Sequence, residues 1–139
     1  MATSTHRHTV TTRGQGDIQD ITSVVVRAVS ESELASGLVT VFVVGSTAAL
    51  TTIEFEPGAV ADFNRLFEEL APRDAEYDHH QRWGDDNGSS HVRAALLGPS
   101  LTIPFIDEAL VIGTWQQIVL VEFDTRGRKR EIVMQVIGD

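Results

Sequence analysis

The chain has 139 residues, of which 42% are hydrophobic and 22% are charged, values typical of one soluble globular domain. Twenty acidic and eleven basic side chains give a net charge of -9, which would repel a nucleic-acid backbone and argues against nucleic-acid binding. Because cysteine is absent, disulfides, thiolate zinc sites and cysteine nucleophiles are excluded.

The first sixteen residues are polar and form an N-terminal segment, in which Thr9–Thr12 predicts an edge strand. This segment has no apolar stretch that could act as a secretion signal or a membrane span, so we expect a cytoplasmic protein without a membrane partner. Residues 17–139 are predicted to form a single domain.

A first helix is predicted to begin at Asp17, because Ile18, Ile21, Val25 and Ala28 follow at helical spacing. The negative charges of Asp17 and Asp20 would lie at its start, where the helix dipole stabilises them. The helix is expected to end before Gly37, which suits the turn after a helix.

The next segment, Leu38–Val44, is almost entirely apolar and β-branched, which predicts a central strand covered on both faces. Gly45 ends it, and the threonine-rich run Ser46–Ile53 predicts a second strand lining a polar groove. Pro57 then opens a second amphipathic helix that is closed by Pro72.

Residues 73–91 show neither helical nor strand periodicity, which predicts a long, functional loop. Two hairpins should follow, and the basic run Arg126–Arg130, which looks like the turn of the second one, should be solvated. Their strands are predicted at Leu101–Ile106, Leu110–Ile112, Ile118–Phe123 and Glu131–Ile137. This order of elements indicates an α+β layer sandwich rather than a doubly wound sheet.

The densest polar cluster is His79–His91, which holds three imidazoles and two carboxylates in thirteen residues. In a chain without cysteine these are the ligand types that suit Zn²⁺ or a similar divalent ion. The cluster therefore predicts a metal-binding or acid–base cleft, or else a solvated loop whose imidazoles bind the backbone.

Three other segments carry candidate side chains. Gly45-Ser46-Thr47 could bring backbone N–H groups to a phosphate, although a turn also needs glycine for its own geometry. Glu54 could serve as a metal ligand or a general base, and Trp115-Gln116 could stack on and hydrogen-bond a flat ligand. Glu54 facing solvent and Trp115 packing in the core are the structural alternatives.

Four ordered motifs between Asp17 and Gly138 resemble those of the YjbQ family. They are the segments 45–54 (GSTAALTTIE), 83–88 (WGDDNG), 96–104 (LLGPSLTIP) and 113–118 (GTWQQI). The resemblance implies a compact sandwich of mostly antiparallel strands with two main helices. It also implies a homotrimer with a metal-associated cleft.

By position, the resemblance implies a metal held by His79 and His91. We predict Glu54, Asp85 and Asn87 as the catalytic residues. We predict ligand binding by a second set, namely Gly45, Ser46, Thr47, Arg93, Ser100, Trp115 and Gln116. Two positions near the cluster depart from the family pattern: Ser89 replaces a histidine, and Asp86 replaces a common glycine. Because Ser89 removes one imidazole, a divalent metal such as Zn²⁺ or Mg²⁺ would need another ligand, such as His80, Asp85, Glu54 or water.

Members of the family are often labelled secondary thiamine phosphate synthases. The resemblance therefore implies a weak transferase activity that joins a pyrimidine pyrophosphate to a thiazole phosphate. The alternatives are a non-catalytic module that binds a phosphorylated small metabolite and a metal-dependent hydrolase.

Overall fold

The computed structural model describes residues 1–139 and contains eight strands and four helices. The strands are β1 (Ala2–Thr11), β2 (Ile18–Asp20), β3 (Gly37–Val44), β4 (Ala48–Ile53), β5 (Ser100–Ile106), β6 (Ala109–Leu110), β7 (Gln117–Glu122) and β8 (Lys129–Gly138). The helices are α1 (Thr22–Glu31), α2 (Pro57–Leu70), α3 (Asp78–Trp83) and α4 (Gly88–Leu97). None of these helices is long and apolar enough to cross a bilayer.

The strands form two sheets in which every pairing is antiparallel. The larger sheet has the order β1-β8-β3-β5-β6, and the smaller one has the order β2-β7-β4. β1 pairs with β8 along its whole length and lies at an edge of the larger sheet. The predicted α+β sandwich of mostly antiparallel strands is confirmed.

The smaller sheet is buried on both faces. One face packs with α1 and the inner face of the larger sheet in a cluster of 17 buried residues that includes Val25, Leu50 and Met134. The other face packs against α2 and α4 in a second cluster, which includes Phe67, Ala94 and Phe123. Burial of this apolar area is the main stabilising term of the fold.

β3 is central in its sheet, as predicted, but only one of its faces is covered within the chain. Val39, Val41 and Val43 are fully buried, whereas Leu38, Phe42 and Val44 are exposed on the outer face. The prediction of cover on both faces was wrong for a single chain, because no element of this chain packs on the outer face.

α1 begins at Thr22 rather than at Asp17. Residues Ile18–Asp20 pair with Val119–Val121 of β7 instead, so the apolar side chain of Ile18 is buried by the sheet. The Asp20 carboxylate then accepts hydrogen bonds from the backbone N–H and hydroxyl of Thr22, at 2.9 and 2.6 Å. Strand pairing thus overrides the helical spacing in this segment.

α2 confirms the predicted second helix. It begins at Pro57, and the carboxylate of Glu56 accepts hydrogen bonds from the N–H groups of Gly58 and Ala59. These N–H groups have no acceptor within the helix, so the cap satisfies them.

The segment 73–91 is not a continuous loop, because it contains α3 and the start of α4. α3 buries none of its side chains, and α4 buries mainly small or polar ones, such as Ser89, Ser90 and Arg93. Neither helix therefore shows the apolar stripe by which sequence patterns reveal helices.

Of the two predicted hairpins, β5–β6 is confirmed, with Asp107 and Glu108 at positive φ in its turn. β7 and β8 do not pair with each other. β7 lies in the smaller sheet and β8 in the larger one, so residues 123–128 cross between the sheets. This crossover carries the charged side chains that border the candidate site.

Candidate functional site

α3 and α4 bring two of the predicted imidazoles together. The ring centroids of His79 and His91 are 4.4 Å apart, and the rings are inclined by 37°. Asp85 Oδ1 lies 3.0 Å from His79 Nδ1. With its amide nitrogen turned towards Asp85, Asn87 donates to Asp85 Oδ1 over 2.9 Å. Four predicted site residues therefore form one cluster.

The pKa of His91 lies below its usual range. Burial is the main cause, and the neighbouring His79 imidazole adds to it, while the carboxylates of Asp124 and Asp85 act in the opposite direction. His91 is therefore neutral at pH 7, and one of its ring nitrogens can accept a proton or a hydrogen bond.

The cluster does not form a preformed donor set for a divalent ion. No group of three or more His, Asp or Glu side chains in the chain is placed around one point. The Ser89 hydroxyl is buried and lies 3.4 Å from Gln15 Nε2. Because structural and catalytic zinc sites need at least three protein ligands, the residues present do not fit such an ion.

A buried ionic network lies between the two sheets. Arg130 donates from Nε and Nη2 to the two carboxylate oxygens of Glu122, at 2.8 and 2.6 Å. Thr12 donates to Glu122 over 2.6 Å, and Arg130 Nη2 also donates to the hydroxyl of Thr47 over 2.7 Å. The Glu122 side chain is wholly buried, so the pair must compensate its own desolvation.

Thr47 connects this network to a second buried carboxylate. Its hydroxyl donates to Asp124 Oδ2 over 3.0 Å, and Arg128 Nε donates to the same oxygen over 3.1 Å. Burial alone would raise the pKa of Asp124, but the hydrogen bonds from Thr47 and from the Arg126 N–H, together with Arg128, lower it below its usual value. Asp124 is therefore a carboxylate at neutral pH.

The lowered pKa of Asp124 makes part of the free energy of unfolding depend on pH. Because the pKa of Asp124 is lower in the folded state than the usual 3.8, its contribution is present above that value and is lost as the pH falls through the folded pKa. We expect the free energy of unfolding, measured with urea between about pH 5 and pH 2, to fall more steeply for the wild type than for Asp124→Asn. Equal slopes would contradict the assignment.

The turn between β3 and β4 has unused hydrogen-bond donors. The backbone N–H groups of Gly45, Ser46 and Thr47 donate to no acceptor in the protein. Gly45 has a φ of 137°, which favours glycine at this position. Thr47 is buried, so its unsatisfied N–H is costly unless a ligand or water accepts from it.

The turn and the imidazole pair belong to one region of the surface. Thr47 is hydrogen-bonded to Asp124, whose charge acts on His91. Gln15 joins the Phe123 carbonyl to Ser89 in the first turn of α4. We call the turn 45–47 together with His79, Asp85, Asn87 and His91 the polar cleft.

Other predicted residues lie outside this cleft. Glu54, Trp115 and Gln116 lie at the Ile53–Gln117 end of the β4–β7 pair, whereas the turn 45–47 precedes its Ala48–Glu122 end. At a rise of about 3.3 Å per residue, the strand between them is about 17 Å long. Trp115 is 72% exposed, and Gln116 Nε2 donates to Thr52 over 3.1 Å.

Arg93 and Ser100 occupy different environments. Arg93 is buried and donates to the Ala71 carbonyl and to Glu68, at 3.0 and 2.6 Å, so its guanidinium ties α4 to α2. Ser100 is exposed and pairs with Phe42 on the larger sheet. Neither side chain contacts the imidazole pair or the turn through a hydrogen bond.

The sequence interpretation missed Glu122, Asp124 and Arg130. Arg130 ends the basic run that was expected to be solvated, Glu122 ends the strand before it and Asp124 follows that strand, but all three are buried. The available signal is a period of two, which places Glu122 and Asp124 on the same side of the otherwise apolar stretch 118–124. Charged residues on a strand that is apolar on both faces indicate a buried ionic network.

Comparisons with known proteins agree with the fold and the motifs. A family model described as UPF0047 protein YjbQ-like matches residues 6–139. A UPF0047 protein of Methanothermobacter thermautotrophicus is 38% identical over 122 residues, which cover 88% of this chain and 83% of the relative. A UPF0047 protein of Archaeoglobus fulgidus is 38% identical over 125 residues, which cover 90% and 95%.

Solved structures give the same result. A YbjQ-like protein of unknown function from Sulfolobus solfataricus P2 superposes with a TM-score of 0.88 at 29% identity, covering 99% of this chain and 100% of that one. A hypothetical protein from Aeropyrum pernix K1 superposes with a TM-score of 0.89 at 30% identity, covering 98% and 99%. The likeness extends over nearly the whole chain in both.

Proposed function

The chain belongs to the UPF0047 YjbQ-like family, and we propose that it binds a phosphorylated small molecule in the polar cleft. The observation that carries this proposal is the row of three backbone N–H groups at Gly45, Ser46 and Thr47 that have no acceptor in the protein. Successive free N–H groups in a turn form a concave site for an anion. A phosphate group would satisfy the buried N–H of Thr47 in particular.

The imidazole pair supports a role in binding the rest of such a molecule. His91 is neutral at pH 7 because burial and His79 lower its pKa, so it can accept a hydrogen bond from a ligand hydroxyl or amine. Nδ1 of His79 faces the Asp85 carboxylate, which in turn accepts from the Asn87 amide, and this leaves Nε2 of His79 for the ligand. The cleft thus offers an anion-binding turn beside the neutral imidazole of His91.

Calorimetric titration of tag-free protein with inorganic phosphate and with pyrophosphate tests this function. We expect saturable binding with about one site per chain, and thermal stabilisation that grows with ligand concentration. Sodium chloride at matched ionic strength is the control for general salt effects. Absence of saturable binding for both anions would contradict the proposal.

The transferase implied by the family resemblance is the catalytic alternative, because a phosphate-binding turn would also suit a pyrophosphate leaving group. Transfer of this kind commonly relies on carboxylates that hold a metal. Asp85 lies in the cleft beside His79, whereas Glu54 lies at the far end of β4 and cannot share an ion with it. Incubation with pyrimidine pyrophosphate and thiazole phosphate is therefore expected to give binding without release of pyrophosphate above a buffer control.

Metal content separates simple binding from the metal-dependent alternatives, which include a hydrolase. Because no three ligands converge, we expect elemental analysis of tag-free protein to give clearly less than one zinc per chain. His79→Ala and His91→Ala should leave that content unchanged. Near-stoichiometric metal that is lost in both variants would favour the hydrolase or the transferase.

Self-association is the second part of the proposal. The outer face of the larger sheet exposes large apolar side chains, namely Leu38, Phe42, Val44, Ile106 and Ile137. An apolar patch of this kind commonly marks a contact between proteins, and the family resemblance implies that the partner is a further copy in a homotrimer.

Light scattering coupled to size exclusion tests the homotrimer. We expect a mass of three chains for the wild type and a smaller mass for Phe42→Asp, because a charge buried in an apolar contact is costly. Thr5→Asp, an exposed position on the edge strand of the same sheet, is the matched control. A wild-type mass of one chain would contradict this part.

A further inference from the structure

Arg130 has one guanidinium nitrogen that the protein does not use. Its side chain is only 8% exposed, and its Nε and Nη2 donate to Glu122 and Thr47. Nη1 makes no hydrogen bond within the protein. Nη1 is not among the buried side-chain atoms that lack a partner, so it reaches the surface, where an acceptor from outside the chain can bind it.

Gly45 leaves Nη1 accessible. A Cβ atom at Gly45 would lie 2.6 Å from Nη1 and 3.7 Å from Cζ of Arg130. The first of these distances is shorter than a van der Waals contact. Gly45 itself is exposed. The missing side chain therefore leaves an opening at the surface through which Nη1 can be reached.

The same opening is bordered by the free N–H groups of the turn. Gly45, Ser46 and Thr47 follow one another directly, and Thr47 is bonded to Arg130 Nη2. Backbone N–H groups and a guanidinium nitrogen are donors only, so together they favour an acceptor with several oxygens. Because Glu122 already balances the charge of Arg130, Nη1 offers a directed hydrogen bond rather than an unpaired charge.

We infer that Arg130 is a ligand-binding residue whose Nη1 donates, past Gly45, to an oxygen of a tetrahedral oxyanion such as a phosphate monoester. This inference rests on the proposed function and specifies the anion subsite of the polar cleft. Arg130 stays fixed by Glu122 and Thr47 before the ligand arrives, so little side-chain entropy is lost on binding.

A methyl group at position 45 tests the inference without removing Arg130. Gly45→Ala places Cβ against Nη1, and only the far end of a side chain has to move, so the fold should persist. Gly98→Ala is the matched control, because Gly98 also has a positive φ, of 100°, but a Cβ there meets nothing within 4 Å. Both variants carry backbone strain, and only the first obstructs Nη1.

Titration with inorganic phosphate should show binding to Gly45→Ala that is about 10- to 100-fold weaker than to the wild type, as expected for loss of a hydrogen bond to a charged group. Gly98→Ala should bind within about twofold of the wild type, since it does not touch the site. Circular dichroism confirms that both variants are folded. Equal binding by Gly45→Ala and wild type would overturn the inference and leave the proposed function intact.

Nuclear magnetic resonance provides an independent readout on the unaltered chain. Phosphate should shift the guanidinium signals of Arg130 together with the amide signals of Ser46 and Thr47. Amide shifts without a change at Arg130 would overturn the inference alone. Phosphate that neither binds the wild type nor shifts any of these signals would overturn the proposed function and the inference together.

Discussion

Replacement of Glu122 by alanine should lower the free energy of unfolding by about 3–5 kcal/mol, the cost of leaving a buried charge without its partner. Arg130 would keep its charge in a site where it is 8% exposed, with only the Thr47 hydroxyl to accept from it. The hydroxyl of Thr12 would lose its buried acceptor as well. Urea denaturation at pH 7 measures the change.

An exposed ion pair nearby provides the control. Arg7 and Glu131 pair on the outer face across β1 and β8, where their side chains are 66% and 43% exposed. Glu131→Ala should cost no more than about 1 kcal/mol, because water and salt screen such pairs. If the two variants lost similar amounts of unfolding free energy, burial would not explain the contribution of the Glu122–Arg130 pair to stability.

Gly37→Ala should lower the free energy of unfolding by an amount similar to that expected for Glu122→Ala. A Cβ there would collide with the carbonyl oxygen of Ile137 and lie 2.7 Å from the Cα of Gly138, and both are backbone atoms that no side-chain rotation can move. Gly37 pairs with Gly138 where β3 meets β8. We expect Gly37→Ala to lower the free energy of unfolding by about 3 kcal/mol or more, the upper end for overpacked positions.

Gly113→Ala isolates the steric effect. A Cβ at Gly113 would lie 3.7 Å from the nearest atoms of Gln116, which is ordinary contact, and the φ of Gly113 is not positive. Its unfolding midpoint should therefore stay close to that of the wild type. If Gly37→Ala were as stable as Gly113→Ala, the close approach of β3 and β8 would not be rigid.

Local patterns predicted the parts of this fold that are determined locally. The stripe of α2 and its proline start gave a helix whose observed bounds are Pro57–Leu70. The apolar run of β3 gave a central strand, although its pattern could not reveal that one face is left without cover in a single chain. Ile18–Asp20 was assigned to a helix because only pairing with a distant strand, β7, makes it extended.

The candidate site also has one part that the local sequence predicts and another that depends on contacts between distant segments. His79, Asp85, Asn87 and His91 were predicted to lie together because they fall within thirteen residues, and the structure places them in one cluster. The Arg130–Thr47 hydrogen bond joins residues 83 positions apart. Such a contact depends on how the two sheets pack, which no local periodicity reports.

The strand order has a consequence for how the protein folds during its synthesis. β7 and β8 come after all the other strands in chain order, yet each is paired on both sides, β7 between β2 and β4 and β8 between β1 and β3. Before β7 and β8 are available, β1, β2 and β4 have no hydrogen-bonded neighbour and β3 is paired only with β5, so unpaired edges that are prone to aggregation are exposed. Completion of either sheet must therefore wait until nearly the whole of this chain is available, and folding should be slow for its size.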